Sequence, residues 1–202
     1  MIQSGKFDSP NMDIKKLGNS VLFFTIKKLI EISSILVSVL GVLLFIALIS
    51  YSPNDPNFVF PENTVISNLF GFQGSYTSDL FFQSVGFISY LVPLTYILTG
   101  VNIFRSKKIL LLIKNSFFIV LYSLVGSIFF NFYYNNTFSL YINGSGGFVG
   151  SYFNKIFFND IINSYQNIFW YLFLVFIIIF FLLSVNFKIK SFLLLLKKFS
   201  QI

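Results

Sequence analysis

LIEISSILVSVLGVLLFIALISYSPNDPNF, residues 29–58, holds an apolar run that ends within a few positions. From Leu29 to Tyr51 the only charge is Glu31, one turn in; then Pro53, Asp55 and Pro56 follow in quick succession. About 20 apolar residues at 1.5 Å each cross the ~30 Å hydrocarbon layer of a bilayer, so this run is long enough to span one. Two prolines cannot continue a helix and an aspartate is costly in lipid, which fixes the stop at an interface.

The composition carries that reading to the whole chain. The 202 residues are 55% hydrophobic, 21% aromatic and only 10% charged, with a mean hydropathy of +0.79. Soluble domains carry about a quarter charged residues. So few charges cannot coat a water-facing surface, and the sequence describes an integral membrane protein. Three further segments qualify as spans: 80–104, 109–131 and 165–187, the last without any charge. The expected fold is all-α, a four-helix transmembrane bundle. Lys114, near one end of the third span, can snorkel to the interface.

Charge asymmetry gives a direction. Lys6, Lys15, Lys16, Lys27 and Lys28 precede the first span; Arg105, Lys107 and Lys108 fill the turn between the second and third; Lys188, Lys190, Lys197 and Lys198 follow the fourth. The other two loops hold Lys155 against Asp55, Glu62, Asp79 and Asp160. By the positive-inside rule both termini are cytoplasmic and the loops 52–79 and 132–164 face outward. The net charge of +7 is then a membrane-surface signature, with lipids as the first partner. Three regions follow: a basic cytoplasmic tail, 1–28, in which Gly5, Pro10 and Gly18 interrupt helix; a membrane domain, 29–187; and a basic amphipathic segment or linker start, 188–202. Within the second outer loop, Phe148, Tyr152 and Ile156 fall on one stripe, predicting a short amphipathic helix at the outer surface.

Candidate chemistry is sparse. With no cysteine and no histidine, disulfides, thiolate sites and the commonest general base are excluded. No P-loop motif occurs, and NGSGGFVG at 143–150 fails the dinucleotide spacing because position 149 is Val. Nothing points to a catalytic group, a cofactor site or a metal site, so no enzyme activity is expected of these residues. Small residues are the better signal. Ser34, Ser38 and Gly41 share a face of the first span, and Ser123 and Ser127 flank Gly126 in the third, implying close packing within the bundle or between subunits. Pro93 lies where it could bend the second span.

The order of features is more specific than any one of them. Ser52-Pro53-x-Asp55-Pro56 after the first span, Asn68-x-x-Gly71-x-x-Gly74 next, Asp79 leading into the second span with Pro93 beyond it, and Gly146-Gly147-x-x-Gly150 before the fourth together resemble the N-terminal membrane domain of the FtsK/SpoIIIE family of bacterial DNA translocases. The resemblance covers about residues 28–187. It departs at NDIINSYQN, which lacks the expected glycines, and at Ile202, where a linker and a RecA-like motor are expected to follow. The resemblance implies a membrane anchor in the bacterial inner membrane at the division septum. It would contact division proteins and form a homo-oligomer, a hexamer, acting in divisome assembly and chromosome segregation. ATP, Mg and DNA would be handled only by the motor. The motif residues are then structural. Two other classes remain: a small four-span transporter or channel subunit, and a membrane scaffold unrelated to division.

Overall fold

The computed structural model describes residues 14–56, 65–134, 143–153 and 159–188, with backbone alone at 14–15 and 159–161. All regular structure among these residues is helical. The helices are α1 (Ile14–Ile49), α2 (Gly71–Val85), a 3-10 turn (Gly86–Tyr90), α3 (Leu91–Ser106), α4 (Leu110–Tyr133), α5 (Gly147–Phe153), α6 (Asn159–Ser164) and α7 (Gln166–Ser184). Four stretches are long and apolar enough to cross a membrane: Lys16–Ile49, Gly71–Ser106, Leu110–Tyr133 and Gln166–Ser184. The four-span architecture expected from sequence is therefore present.

Two features differ from expectation for a clear physical reason, the start of α1 and the continuity of the second span. Helix α1 begins at Ile14, so Gly18 does not interrupt it. A single helical glycine costs only about 1 kcal/mol, and the flanking residues through Phe24 propagate the helix. The second span is not one helix from 80 to 104. It starts at Gly71, breaks at Gly86–Tyr90 and resumes to Ser106. The break falls at Gly86, whose φ of 73° and ψ of −146° lie in a region that glycine alone enters readily. Pro93, by contrast, sits buried in the first turn of α3, where its missing N–H costs nothing. The bend thus belongs to Gly86, not to Pro93. The third and fourth spans match closely, α7 ending at Ser184 rather than 187. The short helix expected between the third and fourth spans is α5; its Phe148 and Tyr152 rings stack at 5.9 Å on the exposed face while Gly147 and Gly150 are buried. Ile156 and the segment 189–202 lie outside the described residues.

Packing follows the rule for membranes, small and polar inside with large apolar outside. Ser34, Thr95, Thr99, Asn115, Ser127 and Ser184 are buried, while Leu29, Ile32, Leu36, Leu40, Val175 and Ile179 are exposed. Helix α3 lies against α1, α4 and α7, and α4 against α7 and α5. Among the described residues the backbone of α1 comes close to that of neither α4 nor α7. The Ser34/Ser38/Gly41 face is therefore used inside the bundle. A Cβ on Gly41 would lie 2.9 Å from the Ile97 backbone nitrogen, and one on Gly100 would lie 2.5 Å from the Ser34 carbonyl oxygen. Ser38 Oγ donates across this close approach to Ile97 O at 3.1 Å. Gly126 serves α4 in the same way, receiving the Ile88 side chain.

At one end of the bundle, Lys107 in the α3–α4 turn adopts φ 58° and donates its backbone N–H to Ile103 O at 2.7 Å, closing α3. Its ammonium pairs with Glu31 at 2.8 Å, and Lys28 pairs with the same carboxylate at 2.9 Å. The one charge inside the first span is thereby matched, and α1 is tied to the α3–α4 turn.

Gly100→Ala should lower the unfolding midpoint in detergent micelles by the equivalent of about 1–3 kcal/mol, because the new Cβ meets α1 backbone. Gly18→Ala, whose Cβ meets nothing within 4 Å, should leave the midpoint unchanged or raise it slightly.

Candidate functional site

Helix α1 must leave its last carbonyls without intrahelical partners. At this end they are met by a side chain from the following loop. Asn68 Nδ2 donates to Ala47 O at 2.9 Å and to Ser50 O at 3.2 Å. Its Oδ1 accepts from the Phe70 N–H at 3.1 Å, an Asx turn that leads into α2. Asn68 is itself held by Asp55, whose two carboxylate oxygens accept the Ser67 and Asn68 backbone N–H groups, each at 2.8 Å. Asp55 is 1% exposed and Asn68 5%. A buried carboxylate is tolerable here because both oxygens take charge-assisted hydrogen bonds.

The neighbouring motif residues shape this clasp. The Ser52 carbonyl accepts the Asp55 N–H at 3.2 Å, forming the turn that carries Pro53. The Pro56 carbonyl accepts from Ser75 Oγ at 2.9 Å, fixing the loop to α2. Gly71 has φ +61° with its N–H on Asn68 O at 2.8 Å, so its requirement is conformational. Gly74 is needed for space, since a Cβ there would overlap Asn68 Oδ1. Seven residues from two separated motifs thus meet over the end of α1.

The glycine turn forms a second cluster. Gly146 and Gly150 lie against Ser127 and Asn131 of α4, and Gly147, at φ +64°, lies against Ser84 and Gly86. The break at Gly86 accommodates this loop: Phe87 N donates to Ser145 O at 3.0 Å, and a Cβ at Gly86 would fall on that same carbonyl. Ser127 Oγ donates to Val85 O at 2.8 Å, so α4 caps the end of α2. The two clusters are joined along α2. Tyr51 OH donates to Asp79 Oδ1 at 3.1 Å, Gln83 Nε2 reaches the same oxygen at 3.4 Å, and Asn143 Nδ2 donates to Gln83 O at 3.3 Å. Asp79 is therefore a linking residue, and Pro93 stands apart, at the α1–α3 contact.

A buried polar ladder between α3, α4 and α7 went unread in the sequence. Thr95 Oγ1 lies 3.1 Å from Tyr122 OH and 3.2 Å from Ser184 Oγ. Asn115 Nδ2 donates to Thr99 Oγ1 at 2.7 Å, and Asn115 Oδ1 accepts from Asn186 Nδ2 at 2.9 Å. Asn102 Nδ2 donates to Val185 O at 2.9 Å, and Lys114 Nζ to Asn186 Oδ1 at 2.7 Å. The signal was available: Thr95, Thr99 and Asn102 recur at helical spacing within an apolar segment, as do Asn115 and Tyr122.

Chemically, these arrangements position backbone and close helices together. Among the described residues no group of three or more metal-ligating side chains forms. The clasp leaves Leu69, Phe70, Phe72 and Tyr76 exposed at the start of α2.

Asp55→Ala and Asn68→Ala should each destabilise the chain by about 2–4 kcal/mol, because each leaves several buried backbone groups unmatched. The double variant should cost about 1–2 kcal/mol less than the sum. Chemical or thermal unfolding in one detergent measures all three.

Comparison with known proteins agrees with the geometry. The model of the 4TM region of DNA translocase FtsK/SpoIIIE matches residues 27–197. The DNA translocase FtsK of Rickettsia prowazekii (strain Madrid E) is 29% identical over 109 residues, 52% of this chain and 14% of that protein. That of Rickettsia typhi (strain ATCC VR-144 / Wilmington) is 30% identical over 97 residues, 48% of this chain and 13% of the relative. That of Azospirillum brasilense is 32% identical over 88 residues, 43% and 14% respectively. The aligned part is thus a small fraction of each relative's length. No solved structure matches significantly. With a match running through all four spans and both motif clusters, this multi-pass membrane chain belongs to the 4TM family of the FtsK/SpoIIIE DNA translocases.

Proposed function

We propose that this chain provides the membrane anchor and septum-targeting domain of an FtsK-like cell-division DNA translocase. In this reading it sits in the bacterial inner membrane, contacts other division proteins, and assembles as a homo-oligomer, a hexamer by family resemblance. The work on DNA, with its ATP and Mg, belongs to a motor region of the translocase and not to these helices. The observation that carries the reading is the convergence of Ser52–Pro56 with Asn68, Gly71 and Gly74 into one hydrogen-bonded clasp over the end of α1. Such a clasp holds residues 52–56 and 67–71 in one fixed arrangement, as a protein-binding platform requires. Exposed Leu69, Phe72 and Tyr76 beside it are the side chains of the kind that anchor interfaces.

The orientation proposed is both termini in the cytoplasm. It is supported by the division of charge between the two ends of the helices. Lys28, Arg105, Lys107, Lys108, Lys114 and Lys188 gather at one end, and Asp55 and Asp79 at the other. The first end is the one the positive-inside rule places in the cytoplasm.

A fluorescent protein fused after Ile202 should be bright, as a cytoplasmic fusion is, and should form a band at the septum of dividing cells. Asp55→Ala combined with Asn68→Ala should disperse that band at unchanged membrane content. An even rim for the unaltered chain would reject septal targeting, and a dark but inserted fusion would reject the orientation.

A further inference from the structure

The α3–α4 turn encloses a pocket of about 420 Å³ lined by Lys107, Lys108, Ile109, Leu110, Leu111 and Lys114. Three lysines and three aliphatic residues therefore line the pocket. Their charges are not equally compensated. Lys107 pairs with Glu31, which also serves Lys28. Lys114 donates to Asn186 Oδ1, a neutral partner, at 2.7 Å. Lys108 is exposed and takes part in no ion pair among the described residues. Positive charge is thus left over at a point where a four-span protein meets the headgroup layer.

The surface below the pocket is apolar and open. Leu110, Ile113 and Phe117 follow at helical spacing down the outer face of α4 and are 72%, 70% and 60% exposed. An anion alone would leave this ridge unused, and a zwitterionic lipid would leave the lysines without a net counter-charge. A ligand with a phosphate at one end and hydrocarbon at the other satisfies both parts. Basic pockets beside transmembrane helices are known to select such headgroups.

We propose that this pocket binds the phosphodiester headgroup of an anionic phospholipid, with Lys108 and Lys114 as its principal counter-charges and its acyl chain along Leu110, Ile113 and Phe117. The site requires membrane insertion but neither septal targeting nor a particular orientation, so its failure and the failure of those readings are distinguishable.

The test uses the full chain in neutral detergent micelles, with native mass spectrometry reading retained phosphatidylglycerol against phosphatidylcholine. Phosphatidylglycerol should be retained preferentially. Lys108→Gln and Lys114→Gln should each weaken it about fivefold, whereas Lys16→Gln, far along α1, should not. Lys114→Gln removes a contact to Asn186 and could perturb folding; Lys108→Gln, with no such contact, decides alone. Equal retention of the two lipids would overturn the proposal. So would unchanged retention in Lys108→Gln, or displacement of the lipid by excess inorganic phosphate, which would mark a site for a free anion.

Discussion

The carboxylate of Asp55 and the amide of Asn68 are the point on which this end of the bundle depends. One side chain orders the backbone of the loop, and the other carries that order to the final carbonyls of α1. A helix emerging from lipid has no neighbouring water to rely on until it reaches the interface, so its terminal groups need partners supplied by the protein. Here the partner comes from a loop that would otherwise have no fixed course. The start of α2, the turn at Gly71 and the close fit at Gly74 all follow from where Asn68 must be.

The same logic recurs at Gly86. Breaking a helix releases backbone groups in a setting where an unmatched one costs several kcal/mol. The release is covered by Ser89 Oγ on Phe81 O at 3.0 Å, by Ser127 on Val85 O, and by Ser145 O receiving the Phe87 N–H. Gly146, Gly147 and Gly150 let their turn come close enough to contribute. Two motifs far apart in the chain are therefore halves of one contact, the break and the turn that fills it.

The sequence made the four spans plain because each is a long apolar run, and length and composition decide that alone. It made the motif residues visible as an ordered set, although not as a clasp: that Asp55 would hold Asn68 depends on a loop path that no local pattern encodes. The Gly86 break was missed because hydropathy is blind to φ, and no charge interrupts the stretch 80–104. The start of α1 at Ile14 was missed because Gly18 was given a breaker's weight that one glycine does not carry. The ladder of Thr95, Thr99, Asn115, Tyr122 and Asn186 was hidden by attention to charge. Its members are uncharged, and their meaning lies in being matched across three helices.

The attachment of α1, mainly to α3, bears on how the molecule is made. Ser38 finds its acceptor in Ile97, 59 residues later. At a synthesis rate of about 5–20 residues per second, α1 resides in the bilayer for roughly 3–12 s before its companion has been translated. During that interval its serine and glycine face lacks the α3 surface it packs against in the fold. Helix α1 is thus at first a provisional occupant of the membrane, and the arrival of α3 converts it into part of a fold.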